Sequence, residues 1–156
     1  MYQVFLFSQA FESTMEEWMP FAWKLRDEFV TATWETIYMV LITALVGGLI
    51  GLVLGIVMTV TGPGGILESK GLYRVLDNLV NIFRSIPFII LLALLVNVTR
   101  FIVGTTIGPT AATVPIIFSV VPFFARQVEI ALLEVDPGVV EAAQAMGATP
   151  RDIIFR

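Results

Sequence analysis

Cysteine and histidine are both missing from the 156 residues. Their absence excludes disulfides, thiolate nucleophiles, imidazole general bases and the commonest zinc ligands together. No metal site and no catalytic residue is expected. Charge is also scarce: charged residues make up 14% of the chain and hydrophobic ones 57%, where soluble domains carry about 25% and about 45–50%. With a mean hydropathy of +0.89, the composition belongs in a bilayer, with length for three or four spans. The nine Lys and Arg are scattered and the net charge is −4. That balance lacks the basic footprint a nucleic-acid partner requires. A phosphate loop is absent as well, because neither Lys24 nor Lys70 follows a glycine.

What is present is a set of long apolar runs. Residues 37–60 carry no acid or base, and a helix over them rises about 36 Å, enough for a hydrocarbon core of roughly 30 Å. Gly62-Pro63-Gly64-Gly65 ends that span. Residues 101–125 are likewise uncharged, giving a span entered near Pro109 and left at Arg126. The run 85–99 is only 15 residues long, short of the roughly 17 usually needed, so its helix is expected to begin before Arg84 with that arginine near the interface. The reading is an all-α polytopic transmembrane bundle with spans at about 36–61, 79–99 and 106–125.

Residues 1–33 combine acids with aromatics, including Trp18, Phe21, Trp23 and Phe29. They lack the basic start and long apolar stretch of a secretory signal. An extracytoplasmic segment at the outer interface, where Trp rings sit at headgroup level, and a frayed tail both fit. With the amino terminus outside, the cytoplasmic side holds Lys70, Arg74, Arg84, Arg126, Arg151 and Arg156, against Lys24, Arg26 and Arg100 outside. The positive-inside rule favours this orientation.

Ion-driven carriers hold ionisable groups at membrane depth. The uncharged runs offer only hydroxyls such as Thr43, Thr113 and Ser119, with Asn97 in the second span. Energy for any pumping is therefore expected from a partner that consumes ATP, and the chain itself is expected to bind no cofactor and to be no enzyme. Gly47, Gly51 and Gly55 recur every four residues as a smooth ridge for close helix approach, with packing inside the chain as the default reading. Pro115 and Pro122 fit a kink beside a permeation path or simple packing equally well.

The closing stretch GVVEAAQAMGATPRDIIFR (138–156) differs from all of this. Asp136 suits an N-cap, Pro137 the first helical position and Gly147 a left-handed stop. Val139, Ala142, Ala143 and Met146 share one face, with Glu141 and Gln144 opposite. Thr149-Pro150-Arg151-Asp152 opens a second helix with a capping-box-like pattern. The small alanines would let a partner's groove close around the first helix, and an ordinary loop helix fits the same pattern.

EAAQAMG, residues 141–147, resembles the EAAxxxG signature of ABC importer permease subunits, whose coupling helix inserts into the ATP-hydrolysing subunit. NIFRSIPFIILL (81–92), TRFIVGTTIG (99–108), PFFARQVEIALLEV (122–135) and EAAQAMGATP (141–150) resemble the methionine-importer branch. The similarity runs from about Trp34 to the last residue. It implies a membrane-spanning permease subunit in the cell (inner) membrane. Its partners would be a cytoplasmic ATPase that uses the ATP, a second permease copy, an extracytoplasmic methionine-binding protein and the lipid bilayer. Carried over by position, Glu141, Ala142, Ala143 and Gly147 are the ATPase-coupling residues, in a cytoplasmic coupling region at about 136–156. Arg84, Ser85 and Pro87 are candidates for the cytoplasmic mouth, with a merely structural interface role as the default reading. Family members have five spans where three are read here, and their signature continues to an isoleucine ten residues past the glycine, which would be position 157. The chain is thus expected to be a partial transmembrane domain over 34–156, a fragment or truncated product that does not transport as it stands. The alternatives are a permease for another amino acid and a non-transporting membrane scaffold.

Overall fold

The computed structural model describes residues 2–155, and side-chain surroundings for all of these except a few near the amino terminus and Phe155. Among the described residues the chain is helical, with turns between the helices and no strands. The side chain of Trp23 and all of Arg156, both used in the sequence reading, lie outside the described set.

The chain divides into two units, residues 1–38 and 39–156. The first contains α1 (Tyr2–Trp18), α2 (Pro20–Lys24) and the start of α3 (Arg26–Thr61). Within it α1 packs on α2, and Arg26 at the head of α3 faces Glu12 of α1 across 3.9 Å. Trp18 and Phe21 stay about four-fifths exposed, at 78% and 82%. The segment is thus helical over most of its length from Tyr2 onward, with the Trp18 and Phe21 rings on the surface.

The second unit is assembled around one helix. It contains the rest of α3, then α4 (Lys70–Ser85), α5 (Phe88–Leu94), α6 (Val96–Val103), α7 (Pro109–Leu133), α8 (Pro137–Ala145) and α9 (Pro150–Phe155). Helices α4, α5 and α6 all pack against α7, and α3 reaches it through the glycine ridge. A Cβ on Gly47 would stand 3.2 Å from Val120 Cγ1, one on Gly51 3.0 Å from the Val121 carbonyl oxygen, and one on Gly55 2.6 Å from the Ala125 carbonyl oxygen. The ridge is therefore used inside the chain, for backbone approach that any larger residue would block. The core is a narrow strip along α7 that includes Met58, Val80, Leu91, Ala111, Val114 and Ala125. Leu49, Val53 and Leu94, each more than 60% exposed, point away from it, as expected for helices whose outer surface is solvated by lipid tails.

Helix α3 ends where the glycine-proline cluster was expected to end it. Gly64 adopts φ +75°, and the turn is closed by Leu67 N–H donating to the Val60 carbonyl and Ser69 N–H to that of Thr61, both at 2.9 Å. One expectation changes. The rod foreseen over 79–99 is three helices, with α4 and α5 meeting at 105°. The cause is local: Pro87 bars Ile86 from helical geometry, and Ile86 sits extended at φ −78°, ψ 120°. The helix that holds the third apolar run continues past Arg126 through Leu133. Helices α3 and α7 are each long and apolar enough to cross a membrane, and the bent α4–α5 pair makes a third crossing if it counts as one span.

Candidate functional site

The coupling candidates lie on α8, a nine-residue helix closed at both ends. The Asp136 carboxylate accepts from Gly138 N–H at 2.7 Å, satisfying a donor that the first turn leaves free. At the other end Gly147 takes φ +87°. Ala148 N–H donates to the Ala143 carbonyl at 3.0 Å and Gly147 N–H to that of Gln144 at 2.9 Å, the paired bonds of a Schellman stop. The helix is short and fixed by its caps, yet no residue of it is buried. Val139 and Met146 are 63% and 84% exposed, Glu141 and Ala142 are exposed, and Ala143 is half-buried. An apolar, small-residue face of this kind is a surface that a partner's groove can cover.

A capping box opens α9. Thr149 N–H donates to Asp152 Oδ2 at 3.0 Å, and Asp152 N–H reaches back to Thr149 Oγ1 at 3.4 Å. The hydrogen bond from the Thr149 hydroxyl, with the one from its N–H, holds the Asp152 carboxyl below the usual carboxylate range.

The mouth candidates gather on a different element. Ser85 and Pro87 flank the α4–α5 elbow, and Arg84 is the exposed residue just before it. Ser85 Oγ donates to the Asn81 carbonyl at 2.7 Å. Ser85 and Pro87, but not Arg84, line an open cavity of about 610 Å³ that also takes in Asn78, Asn81 and Ile90. A second cavity, about 310 Å³ and almost wholly apolar, lies among Leu54, Val80, Phe83, Phe118 and Pro122. Pro122 and Pro115 are both buried.

Between elbow and coupling region stands a polar cluster that the sequence reading did not assemble. Glu129 of α7 is 2% exposed. Its Oε1 accepts from the Tyr73 hydroxyl at 2.9 Å and its Oε2 from Arg126 Nη1 at 2.6 Å. Arg126 Nη2 in turn pairs with Asp77 and donates to Asn81 Oδ1 at 3.2 Å. One guanidinium thus bridges carboxylates on two helices, each through a different terminal nitrogen, a use to which its several fixed donors suit it. The signal was in the spacing: Tyr73, Asp77 and Asn81 recur every four residues, and Arg126 and Glu129 stand three apart. Reading Arg126 as a marker of membrane exit hid its role inside the helix packing. Of the hydroxyls noted at depth, Thr113 Oγ1 donates to the Thr110 carbonyl, and Thr43 Oγ1 is buried without a hydrogen-bond partner among the described residues.

The glycine-stopped α8, preceded by an apolar bundle built on α7, lies within the region that a family model covers. The model described as binding-protein-dependent transport system inner membrane component matches residues 51–156. The chain belongs to this family. Its members are inner-membrane components by that description, which agrees with the apolar helices α3 and α7. Among curated proteins of the family's transport type, the D-methionine transport system permease protein MetI of Escherichia coli (strain K12) is 49% identical over 135 residues, covering 86% of this chain and 60% of that protein. MetI of Yersinia pestis is 53% identical over 121 residues, covering 78% and 56%. The methionine import system permease protein MetP of Bacillus subtilis (strain 168) is 49% identical over 129 residues, covering 83% and 58%. An inward-facing structure of the MetNI methionine ABC transporter superposes with a TM-score of 0.81 at 48% identity, over 84% of this chain and 61% of that one. The chain therefore spans less than two thirds of the length of the relatives it matches.

Proposed function

We propose that this chain is the membrane-spanning permease subunit of an ATP-driven ABC importer for methionine, and that α8 is where a separate ATPase subunit takes hold. The observation that carries the reading is α8 itself. Its backbone is satisfied by its own caps, while its apolar and alanine face is open to a partner. The likeness to methionine permeases at about half identity supports methionine as the substrate. The likeness to the MetNI transporter supports a complex with an ATPase and a second permease copy. The amino terminus lies outside and the coupling region in the cytoplasm, on the balance of basic residues. Methionine is delivered by an extracytoplasmic binding protein. ATP is bound and hydrolysed in the partner, and closure of the ATPase pair moves α8 as a rigid lever that switches the path between its two openings.

Two substitutions test the docking. Glu141→Lys reverses a charge on the exposed helix. Gly147→Val places a β-branched residue at φ +87°, which costs about 1–2 kcal/mol in the left-handed region and loosens the stop. In the full-length gene product each is expected to reduce co-purification of the ATPase several-fold while membrane insertion stays at the parent level. Undiminished co-purification from both variants would refute α8 as the docking element.

A further inference from the structure

A displacement at α8 can travel two ways in this fold. Along α7 it meets Pro122 and then Pro115, each of which removes a backbone hydrogen bond and leaves the helix easier to bend. Sideways it meets the polar cluster. Arg126 and Glu129 sit in the last two turns of α7, between Pro122 and the start of α8 at Pro137. Their partners Tyr73, Asp77 and Asn81 occupy one face of α4, and the eight steps from the first to the last span about 12 Å of helix at 1.5 Å per residue. Several contacts spread over that length fix both the position and the tilt of α4, where a single ion pair would leave a pivot. Asn81, the last of them, accepts the Ser85 hydroxyl through its carbonyl, and Ser85 is the final residue of α4 before the 105° elbow.

We propose that Arg126 and Glu129 are positioning residues: with Tyr73, Asp77 and Asn81 they clamp α4 to the coupling end of α7. Motion of α8 is then delivered to the Ser85–Pro87 elbow instead of being lost as bending at Pro122. The clamp rests on the reading of this chain as a permease driven through α8, and adds the route by which the drive leaves α7. The apolar cavity beside Pro122 fits the same picture, since its loose packing lets the helix flex just beyond the clamp.

The test uses the full-length gene product assembled with its ATPase in lipid vesicles. Asp77→Asn and Glu129→Gln are expected to leave the amount of assembled complex and its ATP hydrolysis within about twofold of the parent. Methionine moved per ATP consumed should fall about tenfold. Asp77→Glu, which keeps the carboxylate facing Arg126, should hold most of that ratio. If assembly, hydrolysis and transport fall in parallel, the cluster only supports the fold and the clamp is overturned. A second readout needs no transport: nitroxide labels at Val75 on α4 and Ile130 on α7, both exposed, in the full-length chain in nanodiscs. The parent should give one narrow distance that broadens in Asp77→Asn, and an unchanged distribution overturns the clamp. Should the parent assembly move no methionine at all, the importer reading falls, and the label distances alone decide the clamp.

Discussion

Gly55 and Gly48 stand two turns apart on α3, yet the structure asks opposite things of them. A Cβ at Gly55 would meet the Ala125 carbonyl oxygen and Val128 Cβ, both at 2.6 Å, whereas one at Gly48 meets nothing within 4 Å. The first pair of distances is impossible without moving backbone, and overpacking of this kind costs about 1–3 kcal/mol. Gly55→Ala is therefore expected to lower the thermal unfolding midpoint of the purified chain in detergent. Gly48→Ala should hold or raise it, since alanine is favoured in a helix interior by about 0.5–1 kcal/mol. Gly51→Ala, with its nearest contact at 3.0 Å, should fall between the two. Equal midpoints for the variants at Gly55 and Gly48 would show that α3 does not lie on α7 as described. The charged residues follow a related rule. Glu129 is almost fully enclosed, so removing Arg126 strands a buried carboxylate, which costs about 3–5 kcal/mol, whereas the exposed Lys70–Glu68 pair at 3.6 Å contributes little.

At the scale of helices, much of the fold was legible because the signals are short-ranged. The end of α3 follows from Gly62-Pro63-Gly64-Gly65, the start of α7 from Pro109 at its first position, and the caps of α8 from Asp136 and Gly147. The α4–α5 elbow was not read, because the apolar run continues through it and hydropathy does not register direction; the cue was Pro87 acting on Ile86. The Arg126 cluster was not read because it joins residues some fifty positions apart. Spacing along one helix cannot say which helix it will face. The capping box of α9 was legible and can be measured. The Asp152 carboxyl lies below the usual range because it accepts from Thr149. A lowered folded-state value means that its contribution to helix stability is fully present above the ordinary carboxylate pKa, and is lost as pH falls through the lowered one. The Thr149 amide resonance, titrated in detergent, should move with a midpoint below that of an unstructured aspartate. Thr149→Val should raise that midpoint. A midpoint at or above the ordinary value in the parent would remove the box.

The whole molecule cannot be solvated by water alone. Large apolar side chains such as Phe101 at 90%, Ile107 at 85% and Ile89 at 72% stand exposed, and the second unit buries only a strip along α7. A bilayer around α3 and α7 supplies what the fold leaves open. Which way the chain crosses is then a prediction from its few cations. Six of the nine basic residues, from Lys70 to Arg156, fall on the side assigned to the cytoplasm, and Lys24, Arg26 and Arg100 on the other. Basic residues near span ends resist translocation, and α8 must share a compartment with ATP if a nucleotide-consuming partner is to hold it. Topology and coupling therefore stand together. A reporter active only in the cytoplasm is expected to give signal when fused after residue 156 and none when fused before residue 1, with the opposite pattern for a reporter that needs the oxidising exterior. Shifting the balance by placing three lysines between residues 10 and 20, at the expense of Glu12, Glu16 and Glu17, should weaken or reverse that pattern. Signal from the exterior reporter at residue 156 in the parent chain would place α8 away from any ATPase and end the importer reading with it.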